Sequence, residues 1–253
     1  MKTNIYLLKA AEWPAAEDIE AMLRLFPKNR RDKVMQCRER HAQTQHALAY
    51  ALLAAGLAAD WGFEHMPDTA AREKGKPYLR DYPQVFFNFS HCAGGILCGI
   101  SEGELGVDIE PVKPFKDKLA ERVCHENEKK ILWTQPEDER GALFGRIWTS
   151  KESYLKYLGC GIDRPLSSLD LSDCEQQKFC AYGAQFYLFM EEGLVMAICQ
   201  KEASAVTNGC AAENRGESFQ GQEFGVRKVT GRELAETFCR LSKKTDGKML
   251  NPY

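Results

Sequence analysis

The apolar positions of this chain recur with two periods, and the switches between them lay out its elements. Residues 4–9 read as a first strand. Ala42, Ala47, Leu48, Ala51, Leu52 and Ala55 then recur at helical spacing, which predicts one long core helix over about 29–59 that ends at Gly56 or shortly after. A loop through Pro67 and Gly75 leads to strands near 85–90, 95–101 and 105–110, the last two joined at Glu102-Gly103. Helices are predicted near 117–134 and 140–158, and strands near 166–171, 178–190 and 193–199, with Glu191-Glu192-Gly193 as a hairpin turn. One half reads strand–helix–strands and the other strand–helices–strands, an α+β pattern written twice.

Composition changes near the C-terminal end. Thr207 to Glu223 is rich in Gly, Asn, Glu, Gln and Ser, which predicts a flexible linker. Beyond it, Leu234, Phe238 and Leu241 share one face of a short amphipathic helix starting at Gly231. The expected organisation is an N-terminal α+β half over 1–104, a C-terminal α+β half over 105–205, and a linker with a helical tail over 206–253.

Charge and cysteine usage narrow the function classes. A formal net charge of −2 over 253 residues argues against a general nucleic-acid binder. The ten cysteines are scattered, no Cys-x-x-Cys occurs, and none pairs with histidine at zinc spacing, so reduced buried thiols are expected. The start Met1-Lys2-Thr3-Asn4 does not read as a signal peptide, and no apolar run reaches the ~20 residues of a membrane span. A cytoplasmic location without membrane attachment is the expectation.

Candidate chemistry lies in four ordered segments. In Gly106-Val107-Asp108-Ile109-Glu110, strand alternation puts Asp108 and Glu110 on one face, where two carboxylates repel unless a cation or proton lies between them. In Trp148-Thr149-Ser150-Lys151-Glu152, helical spacing sets Lys151, Glu152 and Lys156 within about a turn and a half, before the stop at Gly159-Cys160-Gly161. Together they offer three carboxylates for a hard divalent ion and two ammonium groups for a phosphate, a set suited to magnesium-assisted chemistry on a diphosphate. Upstream, Gly75-Lys76-Pro77 is a turn presenting a lysine, and Phe86-Phe87-Asn88-Phe89-Ser90-His91 is an apolar strand ending in polar groups. Each motif alone is more simply a solvated face or a strand end. A hydrolytic Ser90–His91 pair is rejected, because neighbours in a strand face opposite ways.

In this order, the four segments resemble the 4′-phosphopantetheinyl transferases, and within them the larger, surfactin-synthetase-activating (Sfp) type. The resemblance implies two similar α+β halves with the active site between them. It also implies that Asp108, Glu110 and Glu152 hold magnesium with the diphosphate of coenzyme A, and that Lys76, Ser90 and His91 contact phosphates. Lys156 would bind the diphosphate and stabilise the leaving group, with Asp108, Glu152 and Lys156 as the catalytic set. Lys28 and Arg31, in the run Lys28-Asn29-Arg30-Arg31-Asp32-Lys33, would lie on the adenosine-phosphate side. The family's arginine there is replaced by Gln45 or His46, and its aromatic pair before a helical glutamate is missing from 122–128, although Glu128 fits the glutamate position. The implied partner is an apo acyl or peptidyl carrier protein, modified on a serine by a monomeric enzyme. The competing readings are a magnesium-dependent phosphohydrolase or nuclease, and a non-catalytic relative that binds coenzyme A or carriers.

Overall fold

A computed structural model describes residues 1–161, 165–202 and 225–248, the last seven of these by backbone alone. The first half comprises β1 (Thr3–Lys9), α1 (Ala16–Leu25), α2 (Lys28–Met35), α3 (Arg40–Asp60), the short β2 (Thr69–Ala71) and β3 (Pro77–Leu79), β4 (Phe86–Cys92) and β5 (Gly95–Ser101). The second comprises β6 (Leu105–Pro111), α4 (Asp117–Val123), α5 (Glu126–Thr134), α6 (Glu137–Leu158), β7 (Lys178–Ala181), β8 (Ala184–Glu191) and β9 (Leu194–Lys201). After the undescribed stretch come β10 (Val226–Lys228) and α7 (Gly231–Lys248).

The duplication is visible in the topology. The first half runs strand, long helix, hairpin, with sheet order β1-β5-β4; the second repeats it as β6-β9-β8, and these pairings are antiparallel in both. The halves meet sheet against sheet. Tyr6, Leu8, Ile96, Cys98 and Ile100 point towards α3, whereas their strand neighbours Ile5, Leu7 and Leu97 join Leu105, Val107, Ile109, Met196 and Ile198 between the sheets. On the far side of β6 and β9, Ala197 and Cys199 pack with Ile147, Tyr154 and Leu155 of α6. The α+β fold of two similar halves is therefore as expected.

The local pattern missed several boundaries. The expected helix over 29–59 is two helices, broken at 36–39, where no glycine or proline marks the break and Gln43 donates to the Cys37 carbonyl at 2.8 Å. The end of α3 at Asp60, shortly after Gly56, is as expected. The helix expected at 117–134 breaks at Cys124-His125, where the His125 amide donates to Glu128 Oε2 at 2.7 Å and starts α5 afresh. The strand expected at 166–171 is instead two 3-10 turns, Leu166–Ser168 and Ser172–Glu175, because its backbone groups serve a buried side-chain network. The strand expected at 178–190 splits at Tyr182-Gly183, both with positive φ.

At the C-terminal end, β10 pairs in parallel with β1, and Leu234 and Phe238 of α7 are buried in the core around α3. The linker expected at 207–223 lies outside the described residues. Among the described residues, no helix is long and apolar enough to cross a membrane.

Candidate active site

Gly106 sets the geometry. A Cβ there would collide with the Ser153 carbonyl oxygen and the Tyr157 nitrogen, so the glycine lets the backbone of α6 lie directly on β6. With alternation, Asp108 and Glu110 then share the α6-facing side of β6, while Val107 and Ile109 fill the layer between the sheets. β4 closes from the first half: Asn88 accepts the Val107 amide at 2.9 Å.

Three expected residues meet in one knot. Ser90 Oγ donates to Asp108 Oδ1 at 2.7 Å, Lys156 Nζ donates to the same oxygen at 2.6 Å, and Lys156 also reaches Ser90 Oγ at 2.8 Å. Asp108 is 4% exposed, and its Oδ2 is buried with no hydrogen-bond partner. Glu152, half-buried one turn before Lys156, has its carboxyl pushed above the usual range by burial and then by Asp108, with Lys156 pulling it back and Glu110 raising it again. Glu110 is partly exposed and holds Lys113 at 2.7 Å. The three carboxyls thus influence one another in one region, with Lys156 on Asp108 and Lys113 on Glu110. Among the described residues, however, no three His, Cys, Asp or Glu side chains stand close enough together to hold a metal ion as placed. A cleft of about 200 Å³ opens here, lined by Asn88, Phe89, Glu152, Lys156 and the side chain of Lys76.

Two lysines depart from expectation. Lys151, expected as a second ammonium for phosphate, is fully buried instead, donating to Glu128 Oε2 at 2.6 Å and to the Val123 and Leu166 carbonyls at 2.8 and 2.9 Å. Burial raises the Glu128 carboxyl, while Lys151 and the amides of Leu171 and His125 pull it back. Helical phase explains the split: Lys151 and Lys156 are five residues apart, so they leave α6 on different faces. Lys76 is 8% exposed, and its ammonium donates to Glu104 Oε2 at 2.6 Å and to the Leu105 and Tyr157 carbonyls at 3.0 Å each. Those bonds use its three hydrogens and tie the β2–β3 arm to β6 and α6.

On the α2 side, Lys28 pairs with Asp32 at 2.6 Å on the exposed surface, and Arg31 is also exposed. The buried member of that run is Arg30, which the expected set left out. It rests on the Tyr50 and Phe89 rings and donates to the His46 carbonyl at 3.2 Å, while its Nε has no partner. The available signal was that Arg30 shares a helical face with Val34, the other buried residue of α2. His91, as expected, lies at the end of β4; His46 faces it edge-on with ring centroids 5.2 Å apart.

A carboxylate strand and a lysine helix meet at the junction of the two halves, and the comparisons fall mainly on the half that carries them. Residues 104–202 match the family model described as the 4'-phosphopantetheinyl transferase superfamily. The 4'-phosphopantetheinyl transferase Sfp of Bacillus subtilis (strain 168) is 33% identical over 102 residues, covering 40% of this chain and 46% of that protein. The 4'-phosphopantetheinyl transferase gsp of Aneurinibacillus migulanus is 38% identical over 96 residues, 38% of this chain and 40% of that one. AcpT of Salmonella typhimurium, also a 4'-phosphopantetheinyl transferase, is 32% identical over 120 residues, 44% and 62% of the two chains. The matched region spans about half the length of most of these relatives. The resemblance read from the four motifs, to the phosphopantetheinyl transferases and to their Sfp type, therefore stands.

Proposed function

We propose that this chain transfers the 4′-phosphopantetheine arm of coenzyme A to a serine of an apo acyl or peptidyl carrier protein, with magnesium, releasing 3′,5′-ADP. The observation that carries this reading is the Ser90–Asp108–Lys156 knot with its orphaned Asp108 Oδ2, at the junction of the halves and with Asp108 and Lys156 inside the matched segment. A buried carboxylate oxygen without a donor, beside two further carboxyls, is an oxygen set suited to a hard divalent ion. Asp108, Glu110 and Glu152 would hold it once Lys156 swings from Asp108 onto a phosphate. When bound, the ion supplies charge neutralisation at the diphosphate.

The chain's own groups account for the rest. Lys156 and Ser90 donate hydrogen bonds to diphosphate oxygens, and the lysine offsets charge on the leaving phosphate. The carrier serine oxygen attacks the β-phosphorus, the bond to the bridging oxygen breaks, and that oxygen leaves on 3′,5′-ADP. Glu152 in its ionised form, whose proton affinity burial raises, takes the serine proton, directly or through a water it orients. Lys76 acts from behind, holding Leu105 and Tyr157 so that β6 and α6 keep their spacing. One chain supplies both halves of the site, so the enzyme acts as a monomer.

Intact-mass analysis of an apo acyl carrier protein and an apo peptidyl carrier protein, each incubated with the chain, coenzyme A and magnesium, tests this. The expected result is a gain of one phosphopantetheine arm that disappears with a chelator. No gain on either carrier while coenzyme A still binds would overturn the transferase reading.

A further inference from the structure

The duplicated register pairs each residue of β1 with one of β6. Both halves carry a two-residue hairpin turn, Ala93-Gly94 in the first and Glu192-Gly193 in the second. The Ala10 amide donates to the Gly94 carbonyl at 2.9 Å, and the Val112 amide to the Gly193 carbonyl at 2.7 Å. Lys9 faces Gly95 as Pro111 faces Leu194, so Tyr6 stands where the second half has Asp108, and Leu8 where it has Glu110. The helices follow the same rule. Tyr6 meets Gly56 and Asp60, four residues apart on α3, as Asp108 meets Glu152 and Lys156, four residues apart on α6. The active-site cleft therefore has a counterpart in the first half, and a cavity of about 530 Å³ lies there. Gly56 and Ala59 line it at the places of Glu152 and Leu155, which line the cleft.

The chemistry of the counterpart is reversed. Tyr6, Leu8 and Gly56 replace the three carboxyls, so these positions offer no oxygen set for a divalent ion. A Cβ on Gly56 would collide with the Tyr6 ring, so the glycine lets the ring lie directly on α3. The Tyr6 hydroxyl donates to Asp60 at 2.7 Å; burial and that bond push its ionisation far up and keep it a neutral donor. β10 and α7 supply the other wall, with Arg227, Glu233, Glu236 and Arg240. Its two glutamates are engaged: Glu233 accepts the Thr230 amide at 2.7 Å, and Glu236 pairs with Arg232 at 3.0 Å. The two arginines are not filled. Arg240 donates to Thr237 Oγ1 at 3.2 Å and forms no ion pair among the described residues. Arg227 reaches Asp60 and Glu233 only at 3.3 and 3.8 Å. Two guanidiniums with open donors, facing an apolar wall of Tyr6, Ala55 and Ala59, suit an anionic group on a flat apolar body.

We propose that this counterpart cleft is a second ligand site, which binds a small organic anion directly through Arg227 and Arg240, without a metal, against the apolar wall of α3. The duplication supplies the cleft. β10 and α7, packed on β1 and α3, turn it from a carboxylate site into a cationic one. The site lies in the other half from Asp108 and Lys156, so it stands whether or not the second half transfers phosphopantetheine.

Fluorescence titration of the full chain with 8-anilinonaphthalene-1-sulfonate, a flat anionic probe, in the presence of a chelator tests the proposal without turnover. Binding is expected, and Asp108→Ala should leave it unchanged. Arg240→Glu should weaken it about tenfold or more, the loss of one charge-assisted hydrogen bond. Ala59→Trp, at an exposed position of α3, should fill the cavity and abolish it. Unfolding midpoints near the parent's show that both variants are folded. No binding by the parent chain, or binding that neither substitution alters, would overturn the proposal. Binding that Asp108→Ala abolishes would place the probe in the catalytic cleft and overturn it as well. A chain that binds the probe as expected yet loads no carrier would fail the transferase reading and keep this site.

Discussion

Lys151 and Lys156 lie five residues apart on one helix and end in opposite kinds of environment. Lys151 and Glu128 are both fully buried, and the pair is surrounded by four backbone partners: the Val123 and Leu166 carbonyls on the lysine, the His125 and Leu171 amides on the glutamate. Lys156 and Asp108 form an equally short pair, but Lys156 is part-exposed, and Asp108 keeps a buried oxygen without a partner. The first cluster is closed: it fixes α4, α5 and the turn at Leu166 to α6 and leaves nothing to bind. The second is open, and its unmet bonding capacity is what a ligand can use. A charged side chain on a conspicuous motif is therefore assigned to architecture or chemistry by whether its hydrogen-bond capacity is filled.

That contrast fails or sharpens under substitution. The largest expected effect is on stability: Lys151→Ala leaves Glu128 charged, buried and unpaired, and should cost about 3–5 kcal/mol in chemical denaturation. Replacing both partners with apolar residues, Lys151→Met with Glu128→Leu, should recover most of it. A double variant as unstable as the single one would show that the backbone partners, not the pair, carry the cluster. Next, Asp108→Ala should lower carrier loading about 10²–10³-fold, while the unfolding midpoint stays level or rises slightly. A variant that unfolds readily yet still loads carrier would turn the open cluster into a structural one.

Gly106→Ala affects the spacing between β6 and α6 and should cost about 1–3 kcal/mol, as overpacking does. Its loss of loading should exceed what the unfolded fraction explains, since α6 carries Glu152 and Lys156 together. At the small end, Lys28→Ala removes an exposed ion pair with Asp32 and should move stability by less than about 0.5 kcal/mol. A larger shift would mean that the α2 surface takes part in packing the first half.

Residue pattern alone was enough to place Ser90, Asp108 and Lys156 as site candidates, and to read the doubled strand–helix–hairpin order. Those readings depend on periods of two and 3.6, which specify the face a side chain takes on its own element. Asp108 is opposite Val107 in any strand, and Leu234, Phe238 and Leu241 share a face in any helix. What the period cannot give is the neighbour on the other side of that face. Whether Lys151 meets a phosphate or Glu128 depends on where α5 packs, 23 residues upstream, and the burial of Lys76 depends on Glu104 and on α6. The choice of Arg30 over Lys28 and Arg31, and the meeting of His46 with His91, depend on how α2 and α3 lie on β4. Local sequence thus determined the elements, their faces and the inventory of charge. Only the tertiary structure decided which charges were filled and which were left open, because a hydrogen bond is completed by its partner and the partners here are distant in the chain.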